Sequence, residues 1–262
     1  MEEEIAECKV LLRTVGQEAL SNQKNADWRI VTDKNGFKTK ADAICNQMLC
    51  SGLREITPVI EVFSEEVAHE LKDRPSVYWL IDPIDGTRSW HDGFSGYVSQ
   101  MALIVDNQVE FSSIYWPAED LFFSAENGLA LQNGTVLAKS ELNQPPILID
   151  NYPNPQGIAR KIIEFLPETR YLECGSIGLK AILSMVGKAD FFVKDSKFRD
   201  WDVAPAMGFL SALGGRICDL SGDPISLGES IEQKKGLLIS HSPKLAEKIL
   251  KTIEEIGDNH DF

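Results

Sequence analysis

The stretch Val77-Tyr78-Trp79-Leu80-Ile81-Asp82-Pro83-Ile84-Asp85-Gly86-Thr87 constrains this chain more than any other. Val77 to Ile81 are apolar or aromatic and rich in β formers, which predicts a buried strand. Asp82 then precedes a proline, which lacks a backbone donor and is expected to end the ladder. A turn through Pro83 and Ile84 lets Asp82 and Asp85 point into one space. Gly86 lets the backbone approach a ligand closely, and Thr87 can open a helix whose bare N–H groups attract an anion. Two carboxylates beside an anion cradle repel a phosphate unless a cation lies between them, so the stretch suggests a divalent metal holding a phosphate. A strand, a proline turn and an aspartate cap account for the same residues without any chemistry.

A chain of 262 residues exceeds the usual single domain, so one large or two interlocked domains are expected. No apolar run reaches the length of a membrane-spanning helix, and the opening Met1-Glu2-Glu3-Glu4 is acidic. Neither a membrane span nor a secretory signal is therefore expected. The five cysteines (8, 45, 50, 174 and 218) are odd in number, scattered and never spaced as a zinc clamp. Reduced thiols in a cytoplasm fit that usage. A formal charge of −14 argues against a nucleic-acid polymer as partner. It leaves room for a small anionic substrate, provided bound cations reverse the local field.

Taken in order, residues 4–20 read as an amphipathic helix with Ile5, Cys8, Leu11, Leu12, Val15 and Ala19 on one face. The polar segment 22–38 reads as a mobile hairpin around Asn35-Gly36. A second helix starts near Thr39, with Asp42 completing a capping box and Ile44, Met48 and Leu53 on its buried side. Val59 to Phe63 form a strand ending in Ser64-Glu65-Glu66. The runs 98–105, 109–115, 121–124, 129–131 and 135–137, punctuated by Asn127-Gly128 and Asn133-Gly134, predict an antiparallel meander. Beyond Pro145, strands (147–150, 169–173, 189–193, 215–220, 236–240) alternate with helices (157–166, 176–186, 202–213, 242–256). That alternation predicts a layered α/β unit. A soft boundary at Glu141 to Pro146 divides an N-terminal α+β half, 1–141, from a C-terminal α/β half, 142–262, which contributes Asp202.

Acidic groups thus fall at strand ends or helix starts: Glu65-Glu66, Asp82 with Asp85, and Asp202. A two-metal phosphoester site needs hard oxygen ligands converging on cations about 3.5–4 Å apart. The Ile84 carbonyl adds a neutral donor, and none of the four histidines is required because Mg²⁺ prefers oxygen. Each acid taken separately reads equally as a solvated charge or a cap.

Together these residues resemble the Mg²⁺-dependent phosphatases of the inositol monophosphatase superfamily. The likeness rests on Glu65-Glu66, on Asp82-Pro83-Ile84-Asp85-Gly86-Thr87, and on Trp201-Asp202 with Gly214-Gly215, in matching order. It implies a layered αβαβα sandwich with the site between the two halves. It implies two or three Mg²⁺ ions, replaceable by Mn²⁺, on Glu65, Asp82, the Ile84 carbonyl, Asp85 and Asp202. It further implies that Thr87, supported by Asp42 and Glu65, orients the attacking water. Gly175-Ser176-Ile177-Gly178-Leu179-Lys180 looks like the Gly-Ser-x-x-Leu-Lys pattern of 3'(2'),5'-bisphosphate nucleotidases. By that resemblance Gly86, Thr87, Gly175, Ser176, Lys180 and Asp202 hold adenosine 3',5'-bisphosphate, with Lys180 on the phosphate remote from the metals. A lysine facing solvent from an apolar helix explains Lys180 equally. An inositol-1-monophosphatase, another sugar-phosphate phosphatase, or a non-catalytic metal-binding relative are the alternatives. The resemblance also implies lithium sensitivity, a small phosphorylated substrate, and a monomer or homodimer.

The chain departs from the family pattern in places. Ala204-Pro205-Ala206 stands where Ala-Ala-Gly is usual, and Trp90 replaces a phenylalanine. No lysine lies upstream of Asp42 at the usual spacing, which leaves Lys34 and Lys38 as candidates for the active-loop lysine. A haloacid-dehalogenase reading fails because two residues, Pro83 and Ile84, separate the aspartates where that motif has one.

Overall fold

The computed structural model describes residues 2–33, 36–67, 74–228 and 230–258. Helix α1 (Glu2–Ser21) precedes a hairpin of β1 (Val31–Asp33) and β2 (Lys38–Thr39), then α2 (Lys40–Ile56), β3 (Glu61–Ser64) and β4 (Val77–Asp85). Helix α3 (Thr87–Asp92) leads into β5 (Val98–Val105), β6 (Gln108–Trp116), β7 (Leu121–Glu126), β8 (Leu129–Gln132) and β9 (Thr135–Val136). The remainder alternates: β10 (Ile147–Asp150), α4 (Gly157–Phe165), β11 (Arg170–Glu173), α5 (Ile177–Met185), β12 (Phe191–Lys194) and β13 (Phe198–Arg199). There follow α6 (Asp200–Met207), α7 (Leu210–Leu213), β14 (Arg216–Cys218), β15 (Glu232–Gln233), β16 (Leu237–Ser240) and α8 (Pro243–Asp258).

Strands β3 to β9 make one sheet in sequence order, with β3 parallel to β4 and the rest an antiparallel meander. Its tight connections use left-handed backbone: Asn127 and Gly128 sit at φ 52° and 73°, the conformation that Asn-Gly hairpin turns require. The second sheet runs β11-β10-β12-β16-β14, parallel among its first three strands and antiparallel through β16.

The layering follows from side-chain parity. Trp79 and Ile81 of β4 pack on α1 and α2 through Leu12, Val15, Cys45 and Leu49. On the other face of that sheet, Val98 and Ile114 meet Leu179 and Ile182 of α5, Val203 of α6, and Ile147 and Ile149 of β10. Leu148, between those two isoleucines, points away and joins α4 and α8 through Ile158, Ile162, Ala246 and Ile249. The central strands of both large sheets are thus covered on both faces, which gives the αβαβα sandwich. All five cysteines are buried without a disulfide, and burial pushes the Cys8 and Cys45 thiols up to about 12. Among the described residues no helix is long and apolar enough to cross a membrane.

Several expectations need correction. Pro83 does not end β4, which runs to Asp85 around a bulge; a bulged position needs no ladder donor, so proline fits there. Strand β3 starts at Glu61, and Val59 stands exposed in the preceding turn. On α2 the buried stripe is Ala41, Cys45, Leu49 and Leu53, whereas Ile44 and Met48 are only partly buried. That series repeats every fourth residue and presents a narrow face to α1. The single helix expected over 202–213 begins at Asp200 and breaks after Met207, giving α6 and α7. Pro205 therefore lies in the last turn of α6, not the first. Having no N–H, it leaves the Trp201 carbonyl free, and Gln100 Nε2 donates to that oxygen at 3.0 Å. Trp90 is a core residue whose indole N–H donates to the Ala19 carbonyl at 2.8 Å, closing an otherwise open group at the end of α1. Of the expected hairpin turn, Asn35 lies outside the described residues, as does Lys34.

Candidate metal centre and active site

Strand β4 delivers two aspartates in different directions. Tyr78 and Leu80 face α6, packing with Trp201 and Ala204, and Asp82 continues that parity. Asp82 pairs with Gln100 and Asp85 with Val98, so three steps on β4 match two on β5. The extra residue turns the backbone, and the Ile84 N–H donates to Asp82 Oδ1 at 3.1 Å, fixing the corner. Asp85 emerges toward the start of α5. It accepts from Ser176 Oγ at 2.6 Å, Gly178 N at 2.7 Å, and Ile177 N and Gln100 Nε2 at 3.3 Å each.

Glu65 follows β3 and is held to β4 by its N–H on the Ile81 carbonyl at 3.2 Å. Asp202, in the first turn of α6, accepts the Arg199 N–H at Oδ2 (2.8 Å). Oxygens of Glu65, Asp82 and Asp202 lie within 4.8 Å of one another. Asp82 is 1% exposed, and its buried Oδ2 has no hydrogen-bond partner among the described residues. Burial first, and the neighbouring Glu65 and Asp85 charges second, hold the Asp82 carboxyl well above the usual carboxylate range. Burial, then the Asp85 and Glu65 charges, push Asp202 up to about 8. Asp85 is also raised by burial, against the opposing pull of its Ser176 and Gly178 donors. An orphaned buried oxygen among converging carboxylates fits a bound cation, and a donor set of hard oxygens alone suits Mg²⁺. Asp85 stands outside the 4.8 Å triad, its carboxylate taken up by α5.

Thr87 closes the site from α3. Its hydroxyl lies 2.8 Å from Asp42 Oδ1 and 3.2 Å from the Ile84 carbonyl. Asp42 Oδ2 accepts both the N–H and the hydroxyl of Thr39 at 2.6 Å each, so the capping reading and the contact with Thr87 hold together. Lys38 donates to the Glu65 carbonyl at 2.7 Å and pairs with Glu66 at 3.2 Å. Burial still raises Glu66, to about 7.

Lys180 corrects the reading of a lysine facing solvent, since it is buried. It is 1% exposed, bonds Asn151 Oδ1 at 2.7 Å, lies 4.0 Å from Asp150 and caps the Phe192 ring at 4.8 Å. The first N–H groups of α5, those of Ile177 and Gly178, are spent on the Asp85 carboxylate. Gly175 and Ser176 both donate backbone N–H groups to the Gly96 carbonyl, and a Cβ at Gly175 would meet Ser89 Oγ at 1.8 Å. That close approach is what requires glycine. A cavity of about 490 Å³ opens here, lined by Asp85, Asp150, Asn151, Lys180, Lys194 and Asp195. A larger cavity of about 670 Å³, beside Phe94, Trp116 and Leu183, lacks Asp85 as well as the Glu65, Asp82 and Asp202 triad, whereas the smaller one reaches the site through Asp85.

Sequence reasoning missed Gln100, Asp150, Asn151, Lys194, Asp195 and Arg199. Gln100 was legible as a polar residue inside an apolar strand pattern, whereas Arg199, 3.7 Å from Glu65, offered only its place before Trp201-Asp202.

The family model for the inositol monophosphatase family matches residues 1–258. A fructose-1,6-bisphosphatase/inositol-1-monophosphatase of Thermotoga maritima is 27% identical over 254 residues, 94% of this chain and 96% of that protein. The 3'(2'),5'-bisphosphate nucleotidase CysQ of Escherichia coli is 27% identical over 196 residues, 73% of this chain and 79% of its own length. Among solved structures, a Thermotoga maritima IMPase superposes with a TM-score of 0.81 at 25% identity, covering 99% of each chain.

Proposed function

Since this chain belongs to the inositol monophosphatase family, whose members are metal-dependent hydrolases of phosphoric monoesters, we propose that it cleaves one phosphate from a small bisphosphorylated nucleotide, adenosine 3',5'-bisphosphate. The observation that carries the hydrolytic reading is the convergence of Glu65, Asp82 and Asp202 within 4.8 Å around the unpartnered Asp82 oxygen. These three, with the Ile84 carbonyl and Asp85, are the residues to hold Mg²⁺. When bound, Mg²⁺ supplies the Lewis acidity that activates water and offsets charge on the phosphoryl oxygens. Asp42 accepts from Thr87 and holds that hydroxyl over the site, where it orients the attacking water with Glu65. Gly86 and Asp202 flank the phosphoryl group. Thr87→Ala is expected to lower kcat by roughly 10²-fold, the scale of one lost positioning contact. Mg²⁺ half-saturation should stay within two-fold of wild type, and unchanged turnover removes Thr87 from the mechanism.

The nucleotide reading rests on charge. Lys180 and Lys194 both line the 490 Å³ cavity beside Asp85, so a second phosphate has cations to meet outside the cluster of Glu65, Asp82 and Asp202. Asp150, Asn151 and Asp195 in the same wall suit hydroxyl groups, which favours a polyol phosphate such as inositol 1-phosphate as the second reading. Initial rates with Mg²⁺ on adenosine 3',5'-bisphosphate, inositol 1-phosphate and fructose 1,6-bisphosphate decide between them. The nucleotide is expected to give the highest kcat/KM, and a preference for inositol 1-phosphate overturns the nucleotide assignment. Lys180→Met keeps the buried volume and removes the charge. It should raise KM for the bisphosphate about ten-fold, the scale of a charge-assisted contact, and leave inositol 1-phosphate nearly unaffected. Equal losses on both substrates mark packing damage instead.

A further inference from the structure

Arg74 lies outside the carboxylate cluster but touches all three elements that deliver it. Its Nη1 donates to Asp200 and stands 3.5 Å from the Tyr78 hydroxyl. Its guanidinium carbon is 5.2 Å from the ring centroids of both Phe63 and Tyr78, which meet edge to face 5.3 Å apart. Phe63 is on β3, two residues before Glu65, and Tyr78 is on β4, four before Asp82. Asp200 opens α6, two residues before Asp202.

Asp200 is fully buried. Its second oxygen accepts the Trp201 N–H at 2.9 Å, and its own N–H donates to the Ile231 carbonyl at 3.1 Å. The start of α6 is thus held from several directions, and the direction of Asp202 with it. A planar guanidinium donates along its edge while offering its faces to aromatic rings, which a lysine does not. Buried ion pairs are commonly no more stabilising than apolar replacements, so stability alone does not explain this one. What such a pair adds is a fixed direction.

We propose that Arg74 is a positioning residue of the metal centre: by holding Asp200, Phe63 and Tyr78 together it sets the spacing of Glu65, Asp82 and Asp202, and thereby the affinity for a divalent cation. The inference rests on the reading of that cluster as a metal centre. Its test is Mn²⁺ binding to the full chain, followed by the EPR signal of free Mn²⁺, with melting in EDTA as a parallel measurement. Two variants are compared, Arg74→Lys and the double variant R74M/D200L. The second removes one positive and one negative charge, so the net charge around the site is preserved. Both are expected to bind Mn²⁺ roughly 10–100-fold more weakly, the scale seen when groups behind metal ligands are altered. R74M/D200L should melt in EDTA at or above the wild type. Should that double variant not fold, Arg74→Lys decides on the same criterion. A wild type that binds no Mn²⁺ fails the metal-centre reading itself. Normal binding by the wild type, with a folded variant within two-fold of it, overturns the role of Arg74 alone.

Discussion

Asp82→Asn is expected to lower Mg²⁺-dependent turnover by roughly three orders of magnitude, the scale of losing a preorganised charge at a reacting centre, while raising the melting temperature of the metal-free protein. The two effects share one cause. Asp82 is buried, one of its oxygens has no donor, and Glu65 and Asp202 crowd it within 4.8 Å. Without a cation the fold must hold this carboxyl against burial and like charge, both of which raise its pKa. An amide of the same shape removes that repulsion and can donate to a neighbouring carboxylate. Relief on the order of 1–2 kcal/mol corresponds to about 2–8 °C in a chain of this size. Asp150→Asn is the contrasting case. Burial raises that carboxyl too, but it accepts the Gln156 N–H at 2.8 Å and faces Lys180, which would be left buried without its counter-charge, so its replacement should lower the melting temperature. Retention of more than a tenth of the activity by Asp82→Asn, or a lower melting point in EDTA, contradicts the cluster as a strained cation site.

Much of the fold was legible because its signals are local. Asn127-Gly128 and Asn133-Gly134 carry their turn type in their own backbone preferences, and Ser242-Pro243 marks the start of α8. The convergence of Glu65 with Asp82 was also legible, since Glu65 follows one recognisable strand and Asp82 closes the apolar run of its neighbour. What stayed hidden depends on partners distant in the chain. Nothing in Ser176-Ile177-Gly178 says that its donors turn to Asp85, some ninety residues earlier, and not to a substrate. Lys180 sits on an apolar helix face, and periodicity alone does not tell a solvent lysine from one buried against Asn151 and Phe192. Pro205 reads as a helix defect until the Trp201 carbonyl it frees is found on Gln100. In each case a long-range contact redirects a group whose local preference pointed elsewhere.

Melting temperature should fall as pH rises in EDTA, and Mg²⁺ should cancel the fall. The carboxyls of Asp82, Asp85 and Asp202 are all raised by burial, with Asp202 at about 8 against an ordinary 3.8. A carboxyl raised in the folded state stabilises fully below its unfolded pKa, and that contribution is lost as pH climbs through the folded value. The window therefore runs from about pH 4 to pH 8, with ordinary surface carboxylates finished by roughly pH 6. Between pH 6 and 8 the loss from Asp202, which is partly exposed and so partly screened, is on the order of 1–2 kcal/mol, or about 2–8 °C. Mg²⁺ binds the ionised form, so it competes with the protons and its benefit grows with pH. At a hundred times its dissociation constant it should add ~2.7 kcal/mol, roughly 5–10 °C. Scanning calorimetry at pH 5 to 8.5, with EDTA and with excess Mg²⁺, provides the measurement. Asp202→Asn should flatten the EDTA curve, because it removes a carboxyl that titrates within this window. A wild-type EDTA curve already flat from pH 6 to 8.5, or a Mg²⁺ shift that ignores pH, means that these carboxylates do not share a cation.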